Sequence, residues 1–212
     1  MKLYMFEHCS LCFRVRMMAA LKRIHLQERV VLDDDTETMV GLVGKRQIPI
    51  LVKDDGTPML ESMDMVHHIE GLGPPVLVGA ARAEIAQWAD RATPKIAVLS
   101  QPRYPLLGLA EFATVAAHDH YVVRKRKIFG DLVETRSRTR ALIGELLPLL
   151  DELDPLIESP QAAGGVLSLD DIHVLPLLRS AAVVKGLDFA PRLRGYFETM
   201  MDRVGFPPLP VI

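Results

Sequence analysis

Cys9-Ser10-Leu11-Cys12 joins an apolar run, Leu3-Tyr4-Met5-Phe6, to a segment in which Phe13, Met17, Ala20, Leu21 and Ile24 recur at helical spacing. These are the only two cysteines in the chain. A strand that delivers Cys-x-x-Cys to the start of a helix (here Phe13–Ile24) is the arrangement of a thiol–disulfide redox site. A cysteine there faces free backbone N–H groups and the positive end of the helix dipole, and both favour the reactive thiolate. Two residues on, a second thiol can close an intramolecular disulfide or attack a mixed disulfide held on the first. A zinc site usually takes four ligands, so this pair would have to recruit His8, His25, His67 or His68, and no metal is expected. A structural disulfide across so short a loop would be strained, and two cysteines are too few for a secreted scaffold.

The chain is 212 residues long, 49% hydrophobic, with net charge −2. That is enough for one large domain or two small ones with a substantial core. The charge argues against a general nucleic-acid binder. Four apolar residues before Glu7-His8 are too few for a secretory signal, and no run reaches membrane-spanning length. A reducing cytoplasm is the expected location, with no membrane partner.

Strand and helix signals alternate over the first seventy residues. Lys2–Phe6 reads as a strand. Val30-Val31-Leu32, within Glu28–Leu32, suits a buried parallel strand. Asp33-Asp34-Asp35-Thr36 offers caps for a helix over Thr38–Val43. Ile48–Val52 and Thr57–Leu60 form strands around the turn Asp54-Asp55-Gly56. Ser62 is placed to cap a helix over Met63–Glu70. The order β-α-β-α-β-β-α predicts a compact mixed sheet covered by helices.

Gly71-Leu72-Gly73-Pro74-Pro75 breaks the helix and reads as a linker. Beyond it, three apolar stripes predict an all-helical unit of five or six helices. They comprise Ile85, Trp88, Ala89, Ala92, Ile96 and Leu99; Leu142, Leu146, Leu149, Leu150 and Leu153; and Ile172, Leu175, Leu178 and Ala182. Pro94 should kink or split the first of these helices. The expected division is 1–72, a linker over 73–80, and 81–212. Phe206–Pro210 reads as an irregular tail packed on the surface.

Three motifs bear on the cysteines. In a β-α-β setting Gln47-Ile48-Pro49-Ile50 points to a cis Ile48–Pro49 bond, which turns the Ile48 backbone toward a peptide-like ligand. Ser62 at a helix start can bind a carboxylate and Glu61 an ammonium, the two ends of an α-amino acid; a plain cap explains the same residues. Ser168-Leu169-Asp170-Asp171 is a capping box opening a buried helix. The basic run Arg124-Lys125-Arg126-Lys127 reads as a solvated helix face.

Taken together, the Cys-x-x-Cys turn, Gln-Ile-Pro-Ile, Glu61-Ser62-Met63-Asp64 and the Ser-x-x-Asp box resemble the two-domain bacterial glutaredoxins. The likeness is dense from Met1 to His67, returns at Leu169–Arg179, and is mainly architectural between about 95 and 165. It implies a thioredoxin-like α/β domain followed by an all-α domain, the glutathione-transferase architecture. It also implies glutathione-dependent reduction of protein disulfides and glutathione mixed disulfides, with glutathione as cosubstrate; a monomer is expected. By motif, Cys9 is the nucleophile and Cys12 the resolving thiol. Ile48 before Pro49 pairs with the cysteinyl part of glutathione, while Glu61 and Ser62 hold its γ-glutamyl head. One departure stands out: the family commonly has Cys-Pro-Tyr-Cys, and here Ser10-Leu11 replace Pro-Tyr, loosening the turn and removing a ring. The competing readings are an omega-type glutathione transferase or dehydroascorbate reductase using Cys9 alone, and an iron–sulfur carrier ligated by Cys9 and external glutathione.

Overall fold

The computed structural model describes residues 1–212. Its sheet runs β2-β1-β3-β4, built from β1 (Lys2–Met5), β2 (Gln27–Val30), β3 (Ile50–Val52) and β4 (Pro58–Met59). β1 pairs parallel with β2 and antiparallel with β3, which pairs antiparallel with β4. The helices α1 (Ser10–Leu21), α2 (Thr36–Val43) and α3 (Ser62–Glu70) complete the expected β-α-β-α-β-β-α order. Six helices follow: α4 (Ala83–Ser100), α5 (Val115–Phe129), α6 (Leu132–Ser137), α7 (Thr139–Leu153), α8 (Leu169–Ala181) and α9 (Pro191–Val204).

Several local expectations change. β2 is the sheet edge, and its residues are exposed or half-exposed rather than buried, with Val30 at 39%. Only Val31, just past the strand, turns inward. The expected cap cluster divides: the Asp35 side chain accepts the Thr38 N–H and caps α2, whereas Asp33 is fully buried elsewhere. α4 runs unbroken through Pro94, so the expected split does not occur. α1 begins at Ser10, ahead of the predicted Phe13, because Cys9 serves as its cap.

α1 is the central element. It is buried at Cys12, Phe13, Val15, Arg16, Met17, Met18 and Ala19, too wide an arc for a helix with one wet face. α3 packs along it, α8 and α9 cover another side, and Leu3, Met5 and Leu51 of the sheet join the same core. One hydrophobic core of 46 buried residues therefore runs from Leu3 through Trp88 and Leu175 to Leu209. A small second cluster, Phe6, Val31, Met39 and Ile50, lies between the sheet and α2.

Buried ions fix α8 against the sheet. Arg179 is 2% exposed and donates to the Glu7 carbonyl at 2.9 Å and to Glu7 Oε1 at 3.2 Å. Arg16 donates to the same Oε1 at 2.8 Å and forks onto Glu28. The Arg179 guanidinium lies over Phe13, and that of Arg16 over Phe206 in the C-terminal tail. The linker is pinned as well. Val76 and Leu77 N–H groups donate to Glu70, Lys22 donates to the Glu70 and Pro74 carbonyls, and Gly79 N–H donates to Leu167. A Cβ at Gly79 would lie 2.9 Å from the Val166 carbonyl oxygen, so the approach requires glycine. The capping box of α8 forms as expected, with Tyr196 donating to Asp171 and Arg82 pairing with Asp170.

Removing Arg179 deletes its hydrogen bonds to the Glu7 carbonyl and carboxylate, although Arg16 still pairs Glu7, and opens space over Phe13. Arg179→Ala is expected to cost about 3 kcal/mol through lost hydrogen bonds and packing. Denaturant unfolding should still show one transition, at a lower midpoint. A second, separate transition would mean that the two halves do not share a core.

Candidate active site

The site is built at the first turn of α1. Cys9 has extended backbone geometry, and its Sγ accepts the Cys12 N–H at 3.4 Å. The nucleophile candidate is thus itself the helix cap. Both cysteines are free thiols; Cys9 is half-buried and Cys12 is 1% exposed. The Cys12 side chain, donating to Cys9, is the main influence lowering the Cys9 pKa to about 6. Burial opposes this; the charge on His8 and the N–H groups of Cys12 and Leu11 reinforce it. Burial pushes the Cys12 thiol the other way, well above its ordinary value, and the adjacent Cys9 adds to that. The pair is therefore divided at neutral pH into a thiolate and a thiol.

A residue far along the chain completes this turn. Glu111 lies in a 3₁₀ turn, Ala110–Phe112, and is fully buried. Its Oε1 accepts the His8 N–H at 3.0 Å and lies 2.6 Å from His8 Nδ1. Burial alone would raise the carboxyl pKa, but hydrogen bonding and charge from His8 hold it below the usual value, so Glu111 stays ionised. The imidazole sits in an aromatic box. Its ring centre is 5.6 Å from Phe6, 4.6 Å from Tyr104, 5.3 Å from Phe112 and 5.4 Å from Tyr121. His8 entered the sequence reading only as a possible metal ligand, and Glu111 not at all; nothing local in either segment announces the pair.

A cavity of about 250 Å³ opens over Cys9. Phe6, Ser10, Leu11 and Ile48 form one wall; Gln101, Tyr104, Tyr121, Arg124 and Lys125 form the other. The basic run is not a uniformly solvated face. Arg126 and Lys127 are exposed, but Arg124 and Lys125 turn into this cavity, since neighbours on a helix point in different directions. Arg124 and His120 bond to the buried Asp33, as does Arg46 from the loop before β3. A larger groove of about 650 Å³ runs along α1 and β2, but it contains no nucleophile.

The other expected site residues lie on two adjoining loops. The Ile48–Pro49 bond is cis, Pro49 is buried, and Ile48 borders the Cys9 cavity. Gln47 Nε2 donates to the Leu60 carbonyl at 2.8 Å, tying this loop to the start of α3. Glu61 and Ser62 stand there, outside the lining of the cavity itself. Ser62 is not the helix cap: it is the first helical residue, and Glu61 occupies the cap position without a side-chain bond to the helix. The helix starts one residue early because Glu61, with extended backbone angles, takes the cap position. Ser62 is buried at 8%, and Glu61 is exposed.

This arrangement recurs in known proteins. The family model for the glutaredoxin 2 C-terminal domain matches residues 84–209, and that for the glutathione S-transferase N-terminal domain matches residues 8–72. Glutaredoxin 2 of Escherichia coli (strain K12) is 38% identical over 201 residues, covering 94% of each chain. Among solved structures, glutaredoxin 2 from Salmonella typhimurium, in complex with glutathione, aligns with a TM-score of 0.94 at 33% identity over 98% of this chain and 96% of its own. Gtt2 from Saccharomyces cerevisiae aligns with a TM-score of 0.64 at 20% identity over 97% and 99%, a likeness of fold alone. With its cap cysteine, buried partner thiol and helical C-terminal half, the chain belongs to the glutaredoxin 2 family.

Proposed function

We propose that the chain reduces disulfides at the expense of glutathione, with Cys9 as nucleophile and Cys12 as resolving thiol. The observation that carries this assignment is the Cys9 sulfur capping α1 with the buried Cys12 beneath it. The Cys9 thiolate attacks one sulfur of a disulfide. The bond between the two substrate sulfurs breaks, and one leaves as a thiolate that takes up a proton. A mixed disulfide remains on Cys9. Cys12 then loses its proton and attacks the Cys9 sulfur, expelling the second substrate thiol and closing Cys9–Cys12. Two glutathione molecules restore the dithiol and leave as glutathione disulfide. A glutathione mixed disulfide needs only the first step, after which a second glutathione releases the one held on Cys9.

In this reading the Ile48 backbone, before cis-Pro49, pairs with the cysteinyl part of glutathione. Glu61 takes its ammonium, and Ser62 its γ-glutamyl carboxylate through the N–H and hydroxyl of the first turn of α3. We take 1–72 as the thioredoxin-like domain, 73–80 as the linker and 81–212 as the helical domain. Disulfide-bearing and glutathionylated proteins are the partners of a monomer acting in a reducing cytoplasm, which suits a Cys pair kept as thiols. No helix is long and apolar enough to cross a membrane. The transferase alternative uses one cysteine and gives Cys12 no task, whereas here Cys12 helps to set the charge on Cys9.

Cys12→Ser should keep much of the deglutathionylation rate and lose most direct reduction of protein disulfides, because intramolecular resolution is lost. Cys9→Ser should lose both. Equal protein-disulfide reduction by Cys12→Ser and wild type would sink the dithiol mechanism.

Alkylation of Cys9 should rise with pH through about 6 and level off above it, following its thiolate. Glu111→Gln weakens the two hydrogen bonds that fix His8 beside Cys9, and His8 is one of the influences that lower the Cys9 pKa, so the thiolate then forms less readily. The inflection should move upward by about one pH unit. An unmoved inflection would remove Glu111 from the control of Cys9.

Because Ser62 caps nothing, Ser62→Ala should change stability by less than about 0.5 kcal/mol. The KM for glutathione should nevertheless rise about fivefold or more, as for loss of a hydrogen bond to a charged group. An unchanged KM would take Ser62 out of the site.

A further inference from the structure

The wall of the Cys9 cavity contributed by α5 carries more positive charge than the protein itself balances. Three cationic side chains, Arg46, Arg124 and Lys125, border the cavity. The nearest carboxylate, Asp33, is fully buried and already shared. Its Oδ1 faces His120 at 2.8 Å and Arg124 at 3.0 Å; its Oδ2 faces Arg124 at 2.7 Å and Arg46 at 3.2 Å. Asp33 thus organises the cluster and has no capacity left for Lys125. Lys125 rests instead over the Tyr121 ring, 5.3 Å from its centre. The Nε atoms of Arg46 and Arg124 are buried N–H donors without a partner. Burial, and after it the neighbouring Arg124, depress the Lys125 pKa to about 8, with Asp33 and Cys9 opposing. Three cationic side chains around one fully engaged carboxylate, bordering a cavity beside a nucleophile, favour an anion in that cavity.

We propose that Arg124 and Lys125 form a carboxylate-binding subsite for the disulfide partner that Cys9 attacks, selecting disulfides whose cysteine is flanked by an acidic residue. This rests on the glutathione placement given above. Glutathione along Ile48 toward Glu61 and Ser62 occupies the sheet side of the cavity and leaves the α5 wall facing the incoming partner. Arg46, next to Gln47, lies on the glutathione side of the cluster, so the α5 pair is the part that discriminates among partners. The subsite adds orientation: a carboxylate held there brings the neighbouring sulfur to Cys9. It also adds selection, because a lysine in the same position meets like charge.

The test uses the prereduced full-length enzyme in single turnover, without glutathione. Its substrates are three disulfide-bridged peptides that differ only in Glu, Gln or Lys next to the attacked cysteine. Wild type should reduce the Glu peptide about fivefold or more faster than the Lys peptide, and the ratio should shrink as salt is raised. Lys125→Gln, which leaves every bond to Asp33 in place, should collapse the ratio toward one. Arg124→Lys, which keeps the charge but not the fork, should retain part of it. A wild-type ratio near one overturns the proposal. So does a Lys125→Gln variant that keeps the peptide ratio and instead shows a raised KM for glutathione, since the carboxylate would then be glutathione's own. Failure of glutathione to re-reduce the oxidised wild type would defeat the functional reading separately, leaving the single-turnover ratio to stand or fall by itself.

Discussion

The contact between His8 and Glu111 makes the reactive cysteine a property of both halves of the chain. Cys9 takes its local help from α1, through the N–H groups of Leu11 and Cys12 and the Cys12 thiol. The remaining charge comes from His8, whose partner lies 103 residues on. A fully buried carboxylate is costly unless it is paired and hydrogen-bonded. Glu111 meets that condition through two bonds to one residue, the backbone N–H and the ring of His8. Any displacement of the helical half would break both and strand a charge in an aromatic box. The position of α5 and its preceding turn is therefore tied to the chemistry and not only to the core.

The second ionic system, Glu7 with Arg16 and Arg179, is built on the residue next to His8 in the same strand-to-helix turn. Replacing such groups with apolar side chains often costs nothing in net stability, so their value here lies in geometry. Arg179 reaches the Glu7 carbonyl and stacks on Phe13, fixing α8 against the segment that carries Cys9. Two ionic contacts thus hold the residues just before Cys9, one from the turn before α5 and one from α8. Apolar packing between α1 and α8 supplies most of the cohesion but leaves their relative register loosely specified.

What the sequence revealed and what it concealed divide by range. The Cys-x-x-Cys turn, the cis-Pro segment, the β-α-β-α-β-β-α order and the capping box of α8 all rest on neighbouring residues, and all are present. α3 begins at Ser62, one position before the local signal predicts, where the extended Glu61 gives way to helix. Val30 is exposed against its local pattern, because a β-branched run suits a pleated strand anywhere and only the strand order makes β2 an edge. The contacts that tune the site were illegible. Asp33 meets His120 and Arg124 across 87 and 91 residues, in a stretch where the helical pattern says nothing about partners. Asp33-Asp34-Asp35 looked like caps, and two residues after Asp33 one of them is. The first is instead the centre of a cation cluster, a role that depends wholly on what α5 brings to it.

The Ser10-Leu11 spacer shows how much of the redox turn is carried by backbone. Ser10 is the first helical residue, where proline would supply a preset backbone angle and no N–H. Serine gives up that preorganisation but leaves the cap intact, because the groups that favour the Cys9 thiolate are the N–H groups of Leu11 and Cys12 and the Cys12 thiol. Leu11 is 40% exposed at the cavity rim, where the related motif carries tyrosine. The ring lost there is not missing from the site, since Tyr104 and Tyr121 face the same cavity from the helical half. The change at the spacer therefore acts at the mouth, on what approaches the sulfur, more than on the charge of the sulfur itself. With the subsite proposed for Arg124 and Lys125, an approaching partner meets an apolar lip at Leu11 on one side of Cys9 and the cationic wall of α5 on the other.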